Sequence, residues 1–401
     1  MSVTQVLEGS EAVALAVKAC RPQVISAYPI SPQTHIVEAL ARMIADGDLD
    51  CQYVRVESEF SAASVVSGAS AAGSRSYSAS SSQGLLLMTE VLYASAGMRL
   101  PFVMTAVNRA VSAPITIQVD HQDTISLRDP GLIQLYVESS QEAYDSHIAA
   151  FKIAEDPHIM LPVLVCMDGW ILTHSYERVS FIGQEDVNAF LPPFRPANFL
   201  DVKNPKTWGS YAEEDVLMEF KYSIHSAMQY AKRRINEIFS ELAEITGRDH
   251  GGLIEAYQTE DAEVVLIAMG SMVGTIKETI DKLRVQGQKV GLIKIRCYRP
   301  FPYEEILESI KGAKVVAVLD ANFSMGSEGA LGMDLKAKLC NRPGAPIVVD
   351  FIAGLGGREV NEARIVEVVK KARQVGESGL PLDEPYWVGL NLKLVEEGAG
   401  K

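Results

Sequence analysis

Three short polar clusters in the first third of the chain hold side chains able to grip a small carboxylic acid beside a cofactor. They are Tyr28-Pro29-Ile30-Ser31-Pro32, Val56-Glu57-Ser58-Glu59 and Asn108-Arg109-Ala110, and each follows an apolar, strand-like run. In open α/β sheets, ligands are held where strands end and loops or helices begin. Arg109 directly follows the run Phe102–Val107, so its guanidinium is delivered at a strand end. Its planar fork suits bidentate carboxylate recognition; a structural ion pair with Asp120 or Asp129 is the alternative. Ser31 lies between two prolines that restrict the backbone, so its hydroxyl can meet a substrate oxygen at low entropic cost. A turn or N-cap hydroxyl is the plainer reading.

Glu59 opens a helix over 59–72 that otherwise contains only small or apolar residues. Such a helix is expected to be buried, and a buried carboxylate needs a partner. A first-turn Glu favoured by the helix dipole is the alternative. Strand alternation sends the neighbouring Glu57 the other way. Ser80-Ser81-Ser82-Gln83-Gly84 opens a second helix, whose N-terminus favours anions or polar ligand edges. The loop 112–131, with Asp120, His121, Asp123, Arg128 and Asp129, reads as a lid, a subunit contact or a solvated loop. The turn Gly270–Gly274 lacks the spacing and the ribose acid of a dinucleotide fingerprint and reads as structural.

The elements that must position these groups alternate. Helix 11–20 with Ser10 as N-cap, strand 24–28, helix 32–42, strand 52–56, strand 74–80, helix 84–97 and strand 102–107 follow in order. Strand 132–137, helix 141–155 and strand 160–166 complete the pattern. Strands alternating with helices predict a mostly parallel sheet covered on both faces. The aromatic, proline-rich run Phe190-Leu191-Pro192-Pro193-Phe194-Arg195-Pro196 reads as an extended connector. A long charged helix over 213–246 reads as a solvated bridge. Strands 263–268, 289–295, 314–319 and 346–349 make a second, smaller parallel domain. A helix from about 359 to 372 follows, then an arm with Tyr386 and Trp387 that docks elsewhere. The division is 1–172, 173–255 as connector and long helix, 256–352, and 353–401.

With 401 residues, 47% apolar and 22% charged, the chain is expected to fold as a soluble protein of two or three domains. A net charge of −14 argues against nucleic acid or an anionic membrane as partner. No run is long and apolar enough to span a bilayer and no leader is seen, so a cytoplasmic location is expected. Cys20, Cys51, Cys166, Cys297 and Cys340 are scattered and odd in number, which predicts no zinc site, iron–sulfur cluster or disulfide in this chain.

Taken together these blocks resemble the α subunit of the 2-oxoacid:ferredoxin oxidoreductases, of the pyruvate:ferredoxin type. The resemblance covers nearly the whole chain. It rests on the three clusters above, Ser82-Gln83-Gly84-Leu85, Val111-Ser112-Ala113-Pro114, Gln122-Asp123, Arg128-Asp129 and Gln141-Glu142-Ala143. Later blocks are Arg299-Pro300-Phe301-Pro302 and Gly354-Leu355-Gly356-Gly357-Arg358.

The resemblance implies an α/β fold: a thiamine-diphosphate pyrimidine-binding parallel-sheet domain followed by a transketolase C-terminal-like domain. It implies thiamine diphosphate shared with a β subunit that holds the diphosphate and Mg²⁺. It further implies γ and δ partners with [4Fe-4S] clusters, coenzyme A as acyl acceptor, and a dimer of hetero-oligomers. Glu59 looks like the acid that hydrogen-bonds the aminopyrimidine ring, with Pro29, Ser82 and Gln83 also against the cofactor. Arg109 looks like the residue that holds the substrate carboxylate, and Ser31 stands where the family usually has Thr. That change removes a methyl, and Asp129-Pro130-Gly131-Leu132 carries Pro and Leu where pyruvate-type relatives commonly have Thr and Trp. A bulkier branched or aromatic 2-oxoacid such as phenylglyoxylate is therefore an alternative to pyruvate. Two further alternatives are a thiamine half-enzyme without ferredoxin chemistry and a non-catalytic scaffold. Gly47-Asp48 and Asp168-Gly169 lack the continuation of a thiamine-diphosphate metal motif, so a partner must supply that site.

Overall fold

Short runs of Val, Ile, Ala and Ser, buried on both faces, alternate along the chain with helices, the arrangement that parallel sheets require. A computed structural model describes residues 3–399. The chain opens with β1 (Thr4–Glu8), α1 (Gly9–Cys20), β2 (Val24–Ser26), α2 (Thr34–Ala45) and β3 (Gln52–Val54). It continues through α3 (Glu59–Ala71), β4 (Ser76–Ser80), α4 (Ser82–Leu87), α5 (Thr89–Gly97) and β5 (Val103–Asn108). Next come α6 (Gln122–Ile125), β6 (Ile133–Tyr136), α7 (Ser140–Ala154), β7 (Val163–Asp168), β8 (Tyr176–Ser180), α8 (Gln184–Phe190) and α9 (Leu217–Thr246).

After these the chain runs through β9 (Ile254–Tyr257), β10 (Val264–Ala268), α10 (Met272–Val285), β11 (Val290–Ile295) and β12 (Cys297–Arg299). Then follow α11 (Tyr303–Ser309), β13 (Val315–Asp320), α12 (Ala330–Leu339), β14 (Ile347–Ile352), α13 (Glu362–Ser378), β15 (Tyr386–Trp387) and α14 (Leu392–Ala399).

Two units result. One runs to Glu255 and includes Ile295–Pro302; the other holds Ala256–Lys294 and the chain from Tyr303 onward. The first contains a seven-stranded sheet ordered β12-β6-β7-β5-β4-β2-β3, parallel from β6 to β3. β12 closes its edge antiparallel to β6. The second has a six-stranded sheet ordered β15-β14-β13-β10-β11-β9.

Several expectations change. Segment 173–255 lies within the first unit and is no free bridge. Helix α9 buries Ile224, Ala227, Ala231, Ile235, Ile238 and Leu242, an i, i+3/i+4 stripe packed on α7 and α5. Most of its charged residues face outward, while Arg234 and Glu241 pair with Asp156 and with Lys152 of α7. Residues 295–302, assigned by sequence to the second domain, return to the first sheet because β12 pairs with β6. The Tyr386–Trp387 arm docks on its own unit as a strand beside β14.

Glu8 occupies the N-cap position of helix α1 without a side-chain capping bond, while Ser10 is inside the helix and donates its hydroxyl to Thr173 O at 2.9 Å. Helix α3 is not wholly buried: Phe60, Ser64 and Gly68, four residues apart, share an exposed face. Among the described residues, no helix is long and apolar enough to cross a membrane.

Candidate active site

Strand order fixes the place. From β2 the chain crosses through α2 to β3 on one side, and from β4 it crosses through α4 and α5 to β5 on the other. The crevice outside the carboxyl ends of β2 and β4 is therefore a topological switch point, where open α/β sheets hold ligands. Ser31 follows β2, Gln83 follows β4, and Arg109 follows β5.

Arg109 is only 7% exposed. Its Nη1 donates to the Ser31 carbonyl at 2.6 Å and its Nη2 to Gln83 Oε1 at 2.7 Å, while Nε is buried without a partner. Among the described residues it forms no ion pair, so the expected alternative with Asp120 or Asp129 is not what holds it. Burial lowers its pKa, partly offset by the charges of Asp123 and Glu59. The fork is thus a buried cation held by neutral acceptors, with its charge uncompensated by direct contact. That arrangement attracts a carboxylate.

Asp123 organises the surroundings. Oδ2 accepts the backbone amides of Arg109 at 3.0 Å and Ser82 at 3.1 Å; Oδ1 accepts Asn108 Nδ2 at 2.9 Å and the Thr124 amide at 2.8 Å. One fully buried carboxylate therefore ties the ends of β4 and β5 to α6. Burial pushes its carboxyl up to about 6, against those hydrogen bonds. His121 Nε2 meets Asp168 Oδ1 at 2.8 Å at the end of β7. Burial pushes its pKa down, but the carboxylates of Asp168, Asp123 and Asp120 together outweigh it and leave it raised. Asp120, His121 and Asp123 are buried, so this part of the 112–131 loop is not solvated. Sequence reasoning missed Asp123 as a site residue. An acidic residue inside a polar loop looks like surface until the three strand ends are seen to converge on it.

The other expected residues divide. Ser31 gives its carbonyl to Arg109, and its exposed hydroxyl makes no hydrogen bond among the described residues. Pro29 is exposed on the same loop and takes no part in this network. Ser82 is fully buried, with φ at +48°, and its hydroxyl bonds Ala110 O at 2.7 Å and Gln83 Oε1. Its amide and hydroxyl are thus engaged by the scaffold, and it positions Gln83. Gln83 bridges Arg109 to the Ser112 hydroxyl. Gly131 faces Ala96 and Ile224, so the segment 129–132 packs against α5 and α9.

Glu59 is buried, 8% exposed, at the start of α3, whose N-cap Ser58 accepts from the Ser61 amide. It accepts no hydrogen bond among the described residues. A Cβ at Gly84 would lie 2.7 Å from Glu59 Oε1 and 2.4 Å from Ser80 Oγ, so only glycine lets the carboxylate sit there. The hydroxyls of Ser80 and Ser81 are buried without partners. A buried, unsatisfied carboxylate in a glycine cradle is what a protonated ring nitrogen would complete, so these residues fit an aminopyrimidine. A separate cavity of about 760 Å³ lies beside Phe194, Trp208 and Arg99, and none of these site residues lines it.

The profile of the pyruvate flavodoxin/ferredoxin oxidoreductase thiamine-diphosphate-binding domain matches residues 15–240, and that of pyruvate:ferredoxin oxidoreductase core domain II matches 262–365. Pyruvate synthase subunit PorA of Methanosarcina barkeri is 51% identical over 95% of both chains. Ketoisovalerate oxidoreductase subunit VorA of Pyrococcus abyssi is 44% identical over 97% of this chain and 98% of that one. A solved 2-oxoglutarate:ferredoxin oxidoreductase from Magnetococcus marinus, with 2-oxoglutarate, coenzyme A and succinyl-CoA bound, superposes with a TM-score of 0.73 at 21% identity. That match covers 92% of this chain and 65% of that one, so this chain spans somewhat less than two thirds of its length. A split-gene transketolase, in its inactive β4 tetramer, gives 0.57 at 13% identity over 93% and 100%. At these identities the two solved structures speak to the fold alone.

Proposed function

The chain belongs to the pyruvate flavodoxin/ferredoxin oxidoreductase family, and we propose that it is the α subunit of a thiamine-diphosphate-dependent 2-oxoacid:ferredoxin oxidoreductase. Its reaction is oxidative decarboxylation of pyruvate or a related 2-oxoacid to acyl-CoA and CO₂, with electrons passed to ferredoxin. The observation that carries the site assignment is the unpartnered Glu59 carboxylate in the Gly84 cradle, in the same unit as the Arg109 fork. Thiamine diphosphate, when bound, supplies a nucleophilic carbon and an electron sink.

In this reading Glu59 accepts a hydrogen bond from the ring and steers its protonation state. Arg109 holds the oxoacid carboxylate, with Gln83 and Ser31 fixing the plane of the guanidinium. The Ser31 hydroxyl faces the substrate. A β subunit carries the diphosphate and Mg²⁺, iron–sulfur partners carry electrons away, and the assembly works in the cytoplasm.

Pyruvate is the preferred substrate of this reading, in line with the 51% identical relative. A branched oxoacid is the second, favoured by the small Ser31 and by the ketoisovalerate relative. Glu59→Gln in the assembled complex tests the site: turnover should fall by a factor on the order of 10² or more, with oxoacid KM little changed. A wild-type kcat in that variant would sink the assignment. Rates with 2-oxoacids of increasing bulk decide the substrate.

A further inference from the structure

Three residues distant in sequence meet where β1 ends, α2 begins and the turn after β7 passes. Glu8 occupies the N-cap position of α1, His35 lies in the first turn of α2, and His174 stands six residues beyond β7. One donor atom from each lies within 4.8 Å of the other two. His35 Nδ1 is 2.7 Å from Glu8 Oε1, and the His35 and His174 rings lie 4.6 Å apart, tilted by 37°.

Two features hold His174 in place. Its Nδ1 is bonded to Thr173 Oγ1 at 2.7 Å, which leaves Nε2 as the nitrogen available to a ligand. Its other face is covered by the Trp170 ring at 4.1 Å. Trp170 itself has φ at +65°, a conformation that costs a bulky residue energy and that clusters at functional sites. A hydrogen bond to the second imidazole nitrogen and a locked ring are what metal-binding histidines commonly show.

We propose that Glu8, His35 and His174 form a three-ligand site for a borderline divalent transition-metal cation, with Zn²⁺ as the occupant and a fourth position open to water. Two imidazoles and one carboxylate suit Zn²⁺ and are a poor set for Mg²⁺ or Ca²⁺, which take oxygen donors. The ion would replace the proton shared by His35 and Glu8 and staple the end of β1, α2 and the post-β7 turn together. Sequence reasoning excluded zinc by counting cysteines. It could not find this set, because His35 lies 27 positions after Glu8 (35 − 8) and His174 lies 139 positions after His35 (174 − 35).

The test is equilibrium dialysis of the chelator-treated full-length chain against Zn²⁺ alone, with Co²⁺ as a spectroscopic probe. One Zn²⁺ per chain is expected, with the visible d–d bands of four-coordinate Co²⁺. Affinity should fall about tenfold or more in His35→Ala and His174→Ala and less in Glu8→Gln, while the surface control His158→Ala binds as wild type. Should an alanine variant fail to fold by circular dichroism, His35→Gln and His174→Gln give the same comparison. Absence of stoichiometric Zn²⁺ binding, or wild-type affinity in the His35 and His174 variants, overturns the proposal.

Discussion

The backbone amide of Arg109 donates to Oδ2 of Asp123 at 3.0 Å, so a buried carboxylate holds this residue by its main chain while its fork is set by Ser31 and Gln83. The same oxygen accepts the Ser82 amide, which puts Gln83 where it can meet the guanidinium. Asp123→Asn must turn an NH₂ group toward one pair of these donors. The variant should lose about 2–3 kcal/mol of stability, the scale of charged hydrogen bonds left unmade. Urea denaturation measures this, and an unchanged midpoint would show that Asp123 does not tie the loops.

Lysine carries the charge of Arg109 but not its paired donors. Arg109→Lys cannot satisfy Ser31 O, Gln83 Oε1 and a substrate carboxylate together. We expect kcat/KM for the 2-oxoacid to drop by roughly 100-fold, about 2.7 kcal/mol, chiefly through KM. Steady-state kinetics of the assembled complex with a dye acceptor reads the split.

Gly84 leaves no room for a methyl group. In Gly84→Ala the new Cβ would press on Ser80 Oγ and Glu59 Oε1, which must move. Overpacking of this kind costs about 1–3 kcal/mol. Thiamine-diphosphate affinity of the complex should fall together with thermal stability, whereas Gly68→Ala, at an exposed helical position where nothing lies within 4 Å, should leave affinity unaltered and stability equal or higher.

Asp350 makes stability depend on pH in the second unit. Burial, and then the charge of Asp320, pushes its carboxyl up to about 8; the two acids share a hydrogen bond, and Asp350 Oδ2 also accepts the Gly329 amide at 2.6 Å. Above the ordinary carboxylate range the unfolded chain has lost this proton while the folded chain keeps it. Stability contributed by Asp350 is therefore complete below about pH 4 and declines as pH rises to about 8. Asp350→Asn should flatten that slope and unfold at higher urea than the wild type near pH 8. A steeper slope in the variant would contradict the shared proton.

Glu142 accepts from Arg296 Nε at 2.6 Å, and both side chains are at most 1% exposed. Removing the carboxylate leaves Arg296 the Gly252 carbonyl and a longer 3.9 Å contact to Glu255, so Glu142→Gln should destabilise by about 3 kcal/mol or more. Loss of that size in differential scanning calorimetry, with Arg248→Gln at the more exposed Asp145 pair costing less, checks the ranking.

The alternation of apolar runs and helices was readable in the chain itself. So were the strand-end positions of Ser31 and Arg109, the start of α3 at Glu59 and the family resemblance. These are local properties: hydrophobic period, turn chemistry and the order of short motifs along one segment. Strand order was not local. Which ends become neighbours, that β2 and β4 flank the crevice, and that 295–302 return to the first sheet follow from pairings between distant segments. The same reason hid the role of Asp123, the consumption of the Ser82 hydroxyl and the meeting of Glu8, His35 and His174. A polar side chain is given its task by what folds against it, and that surrounding is fixed only when the whole sheet closes.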